Sequence, residues 1–179
     1  MANSKEKVRQ TTGYEFYIMR HGIAAQRGSE GVFEDSKRKL TLEGREKMQE
    51  IAKALKRLGF VVDWIVTSPL VRAVETAQII AASLDSKVPM DLCDELRPGE
   101  PPEKLLSILS KQPERKRILL VGHEPDLSIL AARLMGAGRN ANLAFKKGGC
   151  CLITSEEFPS SSEGQLVWWL TPRVLRAIA

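Results

Sequence analysis

Short apolar runs alternate with segments of helical apolar spacing between residues 14 and 135, and this alternation is the strongest constraint on the fold. The apolar runs, which read as strands, are residues 14–19, 64–67 and 118–121. Alternating strands and helices are typical of α/β units built around a mostly parallel sheet. We therefore predict a three-layer α/β/α domain with a mostly parallel central sheet and no large cap domain.

Capping and stop residues predict where the helices begin and end. Thr41 is a predicted N-cap, and Gly59 is the matching stop. Ser68 is predicted to cap the next helix, with Pro69 at its first helical position. Towards the end of the chain, residues 150–155 and 166–171 resemble the two strands of a hairpin, and residues 172–179 are expected to form a final helical turn.

Length and composition favour one globular domain. Of 179 residues, 43% are apolar and 27% charged, which is ordinary for a globular chain. We expect residues 1–13 to be a disordered leader and residues 14–179 to form one domain. The chain lacks an apolar run of ~20 residues and a secretion signal at its start, so we expect a cytoplasmic protein without a membrane partner.

The charge distribution and the cysteines give no indication of nucleic-acid binding, a zinc site or a disulfide framework. The net charge of +5 is spread along the chain without a long basic block, so nucleic-acid binding is not indicated. The three cysteines lack zinc-type spacing, and their odd number argues against a disulfide framework. Cys150 and Cys151 are adjacent in a predicted strand and should point to opposite faces.

Polar side chains follow the predicted strands at the points where these strands end. The only two histidines, His21 and His123, come directly after apolar runs, and Arg20 and Arg72 occupy similar strand-to-helix positions. Because the carboxyl ends of parallel strands share one edge of a sheet, we expect these four side chains to converge there.

Two arginines beside two histidines favour a phosphoryl ligand. Guanidinium groups offer forked donors that match phosphate oxygens, and helix N-termini at the same edge add amide donors. A neutral imidazole has a free lone pair that can attack phosphorus, and nearby positive charge lowers its pKa. The second histidine, if protonated, could stabilise charge on the phosphoryl oxygens.

These blocks resemble the histidine phosphatase superfamily. The Arg-His-Gly signature is Arg20-His21-Gly22, the second arginine lies in 67-TSPLVRA-73 followed by 75-ETA-77, and the second histidine lies in 121-VGH-123. Within the superfamily, the short chain most resembles the SixA type of phosphohistidine phosphatase. The further segments that carry this likeness are 38-RKLTLEG-44, 123-HEPDL-127 and 170-LTPRVL-175.

The resemblance implies a role for each matched residue. His21 would be the nucleophile that carries a transient phosphoryl group, and Arg20, Arg72 and His123 would hold the phosphoryl oxygens. Arg38 would contribute a further contact from the loop between residues 23 and 39. No metal and no other cofactor is implied.

The general acid is the least defined part of the expected site. Glu95 is the candidate, with Asp94 second, and the alternative is a solvated acidic pair in a proline-rich loop. A phosphohistidine substrate needs such an acid less, because its leaving imidazole has a conjugate-acid pKa of roughly 6.5. The expected partner is therefore a phosphorylated protein of the histidine phosphotransfer type, or alternatively a small phosphate ester.

Other functions stay open at the level of sequence. The chain could be a phosphatase or mutase for a small ester, or a phosphate-binding module without catalysis. A metallohydrolase would use both histidines with carboxylates such as Glu124 or Asp126, but these histidines lack the i, i+4 spacing of a zinc helix. A serine hydrolase is disfavoured because the chain has no G-x-S-x-G elbow.

Overall fold

The computed structural model describes residues 13–29, 33–84, 86–138, 141–158 and 164–179. The expected leader lies outside the described residues except for residue 13. No helix within these ranges has both the length and the apolar character needed to cross a membrane.

Six strands and five α-helices form the described part of the chain. The strands are β1 (Tyr14–Arg20), β2 (Trp64–Thr67), β3 (Met90–Leu92), β4 (Arg117–Gly122), β5 (Cys150–Ser155) and β6 (Gln165–Leu170). The helices are α1 (Leu42–Arg57), α2 (Val71–Ala82), α3 (Pro102–Leu109), α4 (Asp126–Leu134) and α5 (Pro172–Ile178).

All six strands belong to one sheet with the order β3-β2-β4-β1-β5-β6. The first four strands in this order are parallel to one another, and β5 and β6 are added antiparallel at one side. The predicted α/β fold with a mostly parallel central sheet is confirmed, as is the late hairpin.

Helices cover both faces of the sheet because the central strands are apolar on both sides. Phe16 and Ile18 of β1 pack with apolar residues of α3 and α4 on one face. Tyr17 and Met19 pack with apolar residues of α1, α2 and α5 on the other face. Cys150 and Cys151 are free, buried thiols in opposite layers of this core, as the alternation along a strand predicts.

Local capping explains the start of α1 but not that of α2. The Thr41 hydroxyl accepts a hydrogen bond from the Gly44 N–H, so the predicted N-cap is confirmed. The prediction for α2 was wrong: this helix begins at Val71, with Leu70 as its N-cap, and neither Ser68 nor Pro69 caps or starts it. Ser68 is instead fully buried and contacts the second histidine.

The segments that lead from β1, β2, β3 and β4 to the helices that cover the sheet lie at the carboxyl edge of the parallel strands. They contain short 3-10 turns, including Asp35–Lys37 and Asp94–Leu96, and no α-helix among the described residues. This edge therefore carries no large helical insertion among the described residues, in agreement with the expected absence of a cap domain.

Candidate active site

The register of the central strands brings the predicted site residues together. Arg20 at the end of β1 lies opposite Gly122 at the end of β4, and the His21 N–H donates to the Gly122 carbonyl at 3.1 Å. The Ser68 N–H, after β2, donates to the Val121 carbonyl at 2.9 Å. Three strand ends therefore meet at one edge, with His21 and His123 each one residue beyond its strand.

Hydrogen bonds at His21 define which ring nitrogen is free. Its Nδ1 lies 2.7 Å from the Gly22 carbonyl oxygen, which can only accept, so Nδ1 carries the proton. Its Nε2 accepts a hydrogen bond from Arg72 Nε at 3.2 Å. His21 is thus held as the neutral tautomer, with the Nε2 lone pair directed towards an arginine.

His123 lies beside His21 with the two ring centroids 5.0 Å apart. His123 Nε2 is 2.8 Å from the Ser68 hydroxyl oxygen, which also accepts from the Leu70 N–H at 3.4 Å. The Ser68 hydroxyl has one hydrogen to donate and a second lone pair to accept with, so this contact fits a ring proton on His123 Nε2 or on Nδ1. This buried Nδ1 has no hydrogen-bond partner among the described residues.

Arg72 is almost completely buried, with 4% of its surface exposed, and spans the gap between His21 and the loop after β1. Its Nη1 donates to the Asp35 carbonyl oxygen at 2.8 Å, and its Nη2 donates to Asp35 Oδ2 at 2.9 Å. The guanidinium that the sequence assigns to a phosphoryl group is therefore bound by a carboxylate of the chain itself.

Arg38 is joined to the same carboxylate. Its Nε and Nη2 donate to Asp35 Oδ1 at 2.9 Å and 2.7 Å, and its Nη1 donates to the Ala25 carbonyl at 2.8 Å. Burial raises the pKa of Asp35, but the hydrogen bonds and charges of Arg38 and Arg72 outweigh burial and lower this pKa below its usual value. Asp35 is therefore an ionised bridge between two arginines.

Arg20 approaches the site from the end of β1. Its Nη1 donates to the Phe145 carbonyl at 2.7 Å, while its buried Nε has no hydrogen-bond partner among the described residues. The Phe145 N–H donates to Glu124 Oε1, and the Ser128 hydroxyl donates to both oxygens of the same carboxylate. Glu124 thus fixes the peptide segment that orients Arg20.

Both histidines are neutral at physiological pH. Burial, followed by the charges of nearby cationic groups, lowers the pKa of His21 to about 3, although the hydrogen bond to Gly22 acts in the opposite direction. Burial and then the charge of Arg72 lower the pKa of His123 to about 3. Burial is therefore a larger cause of these low pKa values than the nearby positive charge, and His123, expected to help when protonated, is a neutral imidazole.

Glu95 lies on a neighbouring part of the same edge. It lines a small cavity together with His123, and the Cys93 thiol donates to its Oε2 at 3.2 Å. Glu95 makes no hydrogen bond or ion pair with His21, Arg20 or Arg72. Asp94, the second candidate acid, pairs with Arg97 on the surface.

The carboxylates that a metallohydrolase would need have other partners. Glu124 is occupied by Ser128 and Phe145, and Asp126 Oδ2 accepts from the Gly99 N–H at 3.0 Å. Within the described ranges, no group of three or more His, Cys, Asp or Glu residues has the arrangement of a metal site.

Sequence reasoning missed three residues that organise this region: Asp35, Ser68 and Thr76. The Thr76 hydroxyl accepts from the Gly22 N–H at 3.0 Å and donates to the Arg72 carbonyl at 2.7 Å, so it ties the turn after β1 to α2. Local spacing carries no signal for Asp35, but Ser68 directly follows a strand end and could have been considered for the site.

A family model provides one comparison with known proteins. The model described as "Histidine phosphatase superfamily (branch 1)" matches residues 16–98. An uncharacterized protein of Picosynechococcus sp. (strain ATCC 27264 / PCC 7002 / PR-6) is 36% identical over 138 residues, which cover 75% of this chain and 81% of that protein.

Solved structures provide a comparison of the fold. The protein histidine phosphatase SixA in complex with tungstate is similar with a TM-score of 0.77 at 24% identity, covering 89% of this chain and 97% of that one. The α-ribazole phosphatase of Shigella flexneri has a TM-score of 0.67 at 19% identity, over 88% and 96%. A mycobacterial glucosyl-3-phosphoglycerate phosphatase has a TM-score of 0.66 at 17% identity, over 89% and 99%.

Proposed function

The chain belongs to the histidine phosphatase superfamily, and from this membership we propose that His21 accepts a phosphoryl group from substrate and passes it to water. The observation that carries the proposal is the tautomer of His21. Because Nδ1–H donates to the Gly22 carbonyl, Nε2 is unprotonated at physiological pH, and its lone pair can attack phosphorus once Arg72 Nε donates to a phosphoryl oxygen instead.

Two buried nitrogens without hydrogen-bond partners support a phosphoryl group as the ligand. Buried polar atoms are nearly always hydrogen-bonded, and each exception calls for an explanation. Arg20 Nε and His123 Nδ1 are two of the three buried side-chain atoms that lack a partner among the described residues. Arg20 Nε–H can donate to an oxyanion, and His123 Nδ1 would also donate to it in the tautomer in which the Ser68 hydroxyl donates to Nε2.

The proposed reaction has two steps. In the first, His21 Nε2 forms a bond to phosphorus while the bond from phosphorus to the leaving group breaks, and the leaving group departs with that electron pair and gains a proton. In the second, the oxygen of water attacks phosphorus and gives one proton to the solvent, the N–P bond breaks, and its electron pair returns to Nε2, so that inorganic phosphate and neutral His21 are released. Arg20, Arg72 and His123, with Arg38 from the loop, hold the phosphoryl oxygens and stabilise the charge that builds up on them.

We propose phosphohistidine on a phosphotransfer protein as the substrate, and with it a role in signal transduction. One support is the carboxyl edge of the sheet, where the described connections hold short 3-10 turns and no α-helix. An edge without a large helical insertion suits a phosphorylated side chain carried on another protein. A second support is the solved SixA structure, a protein histidine phosphatase with a similar fold.

A small phosphate ester is the second candidate substrate. Glu95 lines a cavity next to His123, where a carboxylic acid could protonate an alcohol leaving group. Two similar folds, the α-ribazole phosphatase and the glucosyl-3-phosphoglycerate phosphatase, are named for small phosphorylated molecules.

The proposed reaction needs no metal and runs in the cytoplasm. Arginines and a neutral histidine supply the electrostatic stabilisation that a cation supplies in metallophosphatases. The three free cysteines are buried thiols, which is consistent with a reducing compartment. Activity that survives exhaustive chelation would support metal independence, and activity lost on chelation and restored by one added metal would contradict it.

A side-by-side assay tests the proposal. The purified chain is given a phosphohistidine phosphotransfer protein and a panel of small phosphate esters, and kcat/KM is compared. We expect the phosphohistidine protein to be the better substrate by at least tenfold, which corresponds to about 1.4 kcal/mol in the barrier. A higher kcat/KM for one ester would favour the second candidate.

A trapped intermediate tests the nucleophile separately. Rapid alkaline quenching with ³²P-labelled substrate should leave acid-labile label on the wild-type chain and none on His21→Ala. Turnover by His21→Ala should fall by at least about four orders of magnitude, because an activated nucleophile is lost outright. Near-normal turnover by this variant would overturn the mechanism, provided circular dichroism shows that the fold is retained.

A further inference from the structure

A second cavity lies behind the turn that carries His21, on the side of the sheet covered by α1 and α5. It has a volume of about 230 Å³, and Gly22 and Ile23 form one of its walls. None of the side chains proposed to bind the phosphoryl group lines it. The cavity is therefore distinct from the candidate active site, although the two share the backbone of one turn.

Every charged side chain that lines this cavity is basic: Lys47 from α1, Lys147 from the turn before β5, and Arg173 and Arg176 from α5. Lys47 is paired with Glu43, and Arg176 with Glu50. The side chains of Lys147 and Arg173 make no hydrogen bond or ion pair with any residue that the structure describes. Two unneutralised positive charges therefore face one cavity.

The floor of the cavity is apolar. Met48 and Ile51 of α1 contribute buried side chains, and Pro172 adds an apolar surface at the start of α5. A volume of about 230 Å³ is smaller than the cavities that hold drug-sized ligands and suits a single ring or a short chain. An inorganic ion would leave this apolar floor without contacts.

We propose that this basic cavity is a binding site for a small organic dianion with an apolar body. The two unpaired cations, Lys147 and Arg173, would bind the anionic groups, and the apolar floor would bind the body. The dianion matches the two uncompensated charges, so binding removes the repulsion between them.

A ligand in the basic cavity would lie close to hydrogen bonds that hold the backbone of the candidate active site. The Gly148 N–H, next to Lys147, donates to the carbonyl oxygens of both Arg20 and His21, each at 3.1 Å. Gly148 also packs against the floor, since a Cβ added there would lie 3.0 Å from Ile51 Cδ1 and 3.1 Å from Met48 Sδ. A ligand bound to Lys147 would therefore act, through Gly148, on the hydrogen bonds that hold the end of β1 and His21.

Titration calorimetry with two probes tests this site. Phthalate carries two carboxylates on an aromatic ring, and phenylphosphonate carries one non-hydrolysable phosphonate on a similar ring. Both are titrated into Arg72→Ala, which weakens anion binding at the candidate active site. We expect one saturable site per chain for at least one probe, and the probe that binds more tightly identifies whether the anion is a carboxylate or a phosphate. Malonate, a dianion without an apolar body, should bind more weakly than phthalate.

Matched variants locate the bound probe. In the Arg72→Ala background, adding Lys147→Ala and Arg173→Ala should weaken binding by about tenfold or more, as expected for the loss of two partly exposed ion pairs. Adding Lys111→Ala and Arg133→Ala, which removes the same charge on the α3 and α4 side, should leave the affinity unchanged. Binding of neither probe to Arg72→Ala, or equal affinities for the two charge-matched variants, would overturn the proposal.

Discussion

The carboxylate of Asp35 is bound to the guanidinium of Arg72, with Asp35 Oδ2 2.9 Å from Arg72 Nη2. The same carboxylate pairs with Arg38, so one acidic side chain satisfies two arginines that are proposed to bind a phosphoryl group. Asp35 is half-exposed, with 49% of its side-chain surface accessible, whereas Arg72 is buried. A phosphoryl group would therefore compete with an anion that the protein already supplies.

We expect Asp35→Asn to bind inorganic phosphate more tightly than the wild type. The substitution removes the competing negative charge but keeps the shape of the side chain. The inhibition constant for phosphate should fall by about fivefold, which corresponds to roughly 1 kcal/mol for a partly exposed ion pair. The measurement is competitive inhibition of phosphatase activity at constant ionic strength.

Glu34→Gln is the matched control for Asp35→Asn, because Glu34 is in the same loop and, among the described residues, its carboxylate pairs with Lys37 and Ser36 rather than with a site arginine. It should leave the inhibition constant unchanged. Weaker phosphate inhibition in Asp35→Asn would contradict competition and would show that Asp35 orients the arginines for binding.

The contribution of Glu95 should depend on the leaving group. We expect Glu95→Gln to reduce kcat on an alkyl phosphate ester by about a hundredfold, as for the loss of a general acid. On phosphohistidine the loss should be slight, because the leaving imidazole is easily protonated by solvent. The check is kcat for both substrates with the same variant.

Glu100→Gln controls for the change in local charge, since Glu100 lines the same small cavity as Glu95. It should affect both substrates little. An equal loss on both substrates in Glu95→Gln would argue against a role as acid and for a role in the local fold around Cys93.

Ser68→Ala should disturb the tautomer of His123. The proposed function needs the tautomer in which the Ser68 hydroxyl donates to His123 Nε2 and Nδ1 carries the proton. Without the hydroxyl this tautomer loses its hydrogen bond, so the N–H proposed to face the phosphoryl group is present in only part of the molecules. We expect kcat/KM to fall by about tenfold, the equivalent of one hydrogen bond in the transition state. The ¹⁵N chemical shifts of the His123 ring should move towards those of a mixed tautomer.

Ser83→Ala provides a comparison, since Ser83 also donates its hydroxyl to a neighbour but lies at the end of α2. Its activity and the His123 shifts should match the wild type. Unchanged ring shifts in Ser68→Ala would mean that another group fixes the tautomer.

Stability should fall as the pH drops through the histidine range. In the unfolded chain the histidines take up protons as the pH falls below about 6.5. In the folded chain burial keeps the pKa of each histidine at about 3. Between these values the unfolded state binds more protons, so the free energy of unfolding decreases with falling pH, and above pH 6.5 it is unaffected by these groups.

Urea unfolding at a series of pH values measures this dependence. Because the chain has only two histidines, a slope between pH 5 and 6.5 reports on this pair. The slope should be absent from the double variant His21→Gln, His123→Gln. A wild-type free energy of unfolding that is constant over this range would contradict the burial of two neutral imidazoles.

The sequence predicted the parts of the fold and site that depend on local patterns. Apolar runs that end in Arg20-His21 and Gly122-His123 were sufficient to place both histidines at one sheet edge, because parallel strands align their carboxyl ends. The geometry of the described residues agrees, with a separation of 5.0 Å between the two rings.

The parts that the sequence did not predict depend on contacts between distant residues. Ser68 has the local pattern of an N-cap, but burial beside His123 gives its hydroxyl a partner that local spacing does not include. Asp35 meets Arg72 across 37 residues of chain, through a loop without apolar periodicity. Whether an acidic side chain is solvated or bound cannot be read from such a segment.

The position of β1 in the sheet has a consequence for synthesis of the protein. β1 is made before the other five strands of the sheet, yet its two neighbours are β4 and β5, which follow about a hundred or more residues later. Contacts between such distant segments form slowly. During synthesis β1 therefore has neither neighbour until β4 is made and only one until β5 is made, and fragments that end before residue 150 should be inactive and dependent on chaperones.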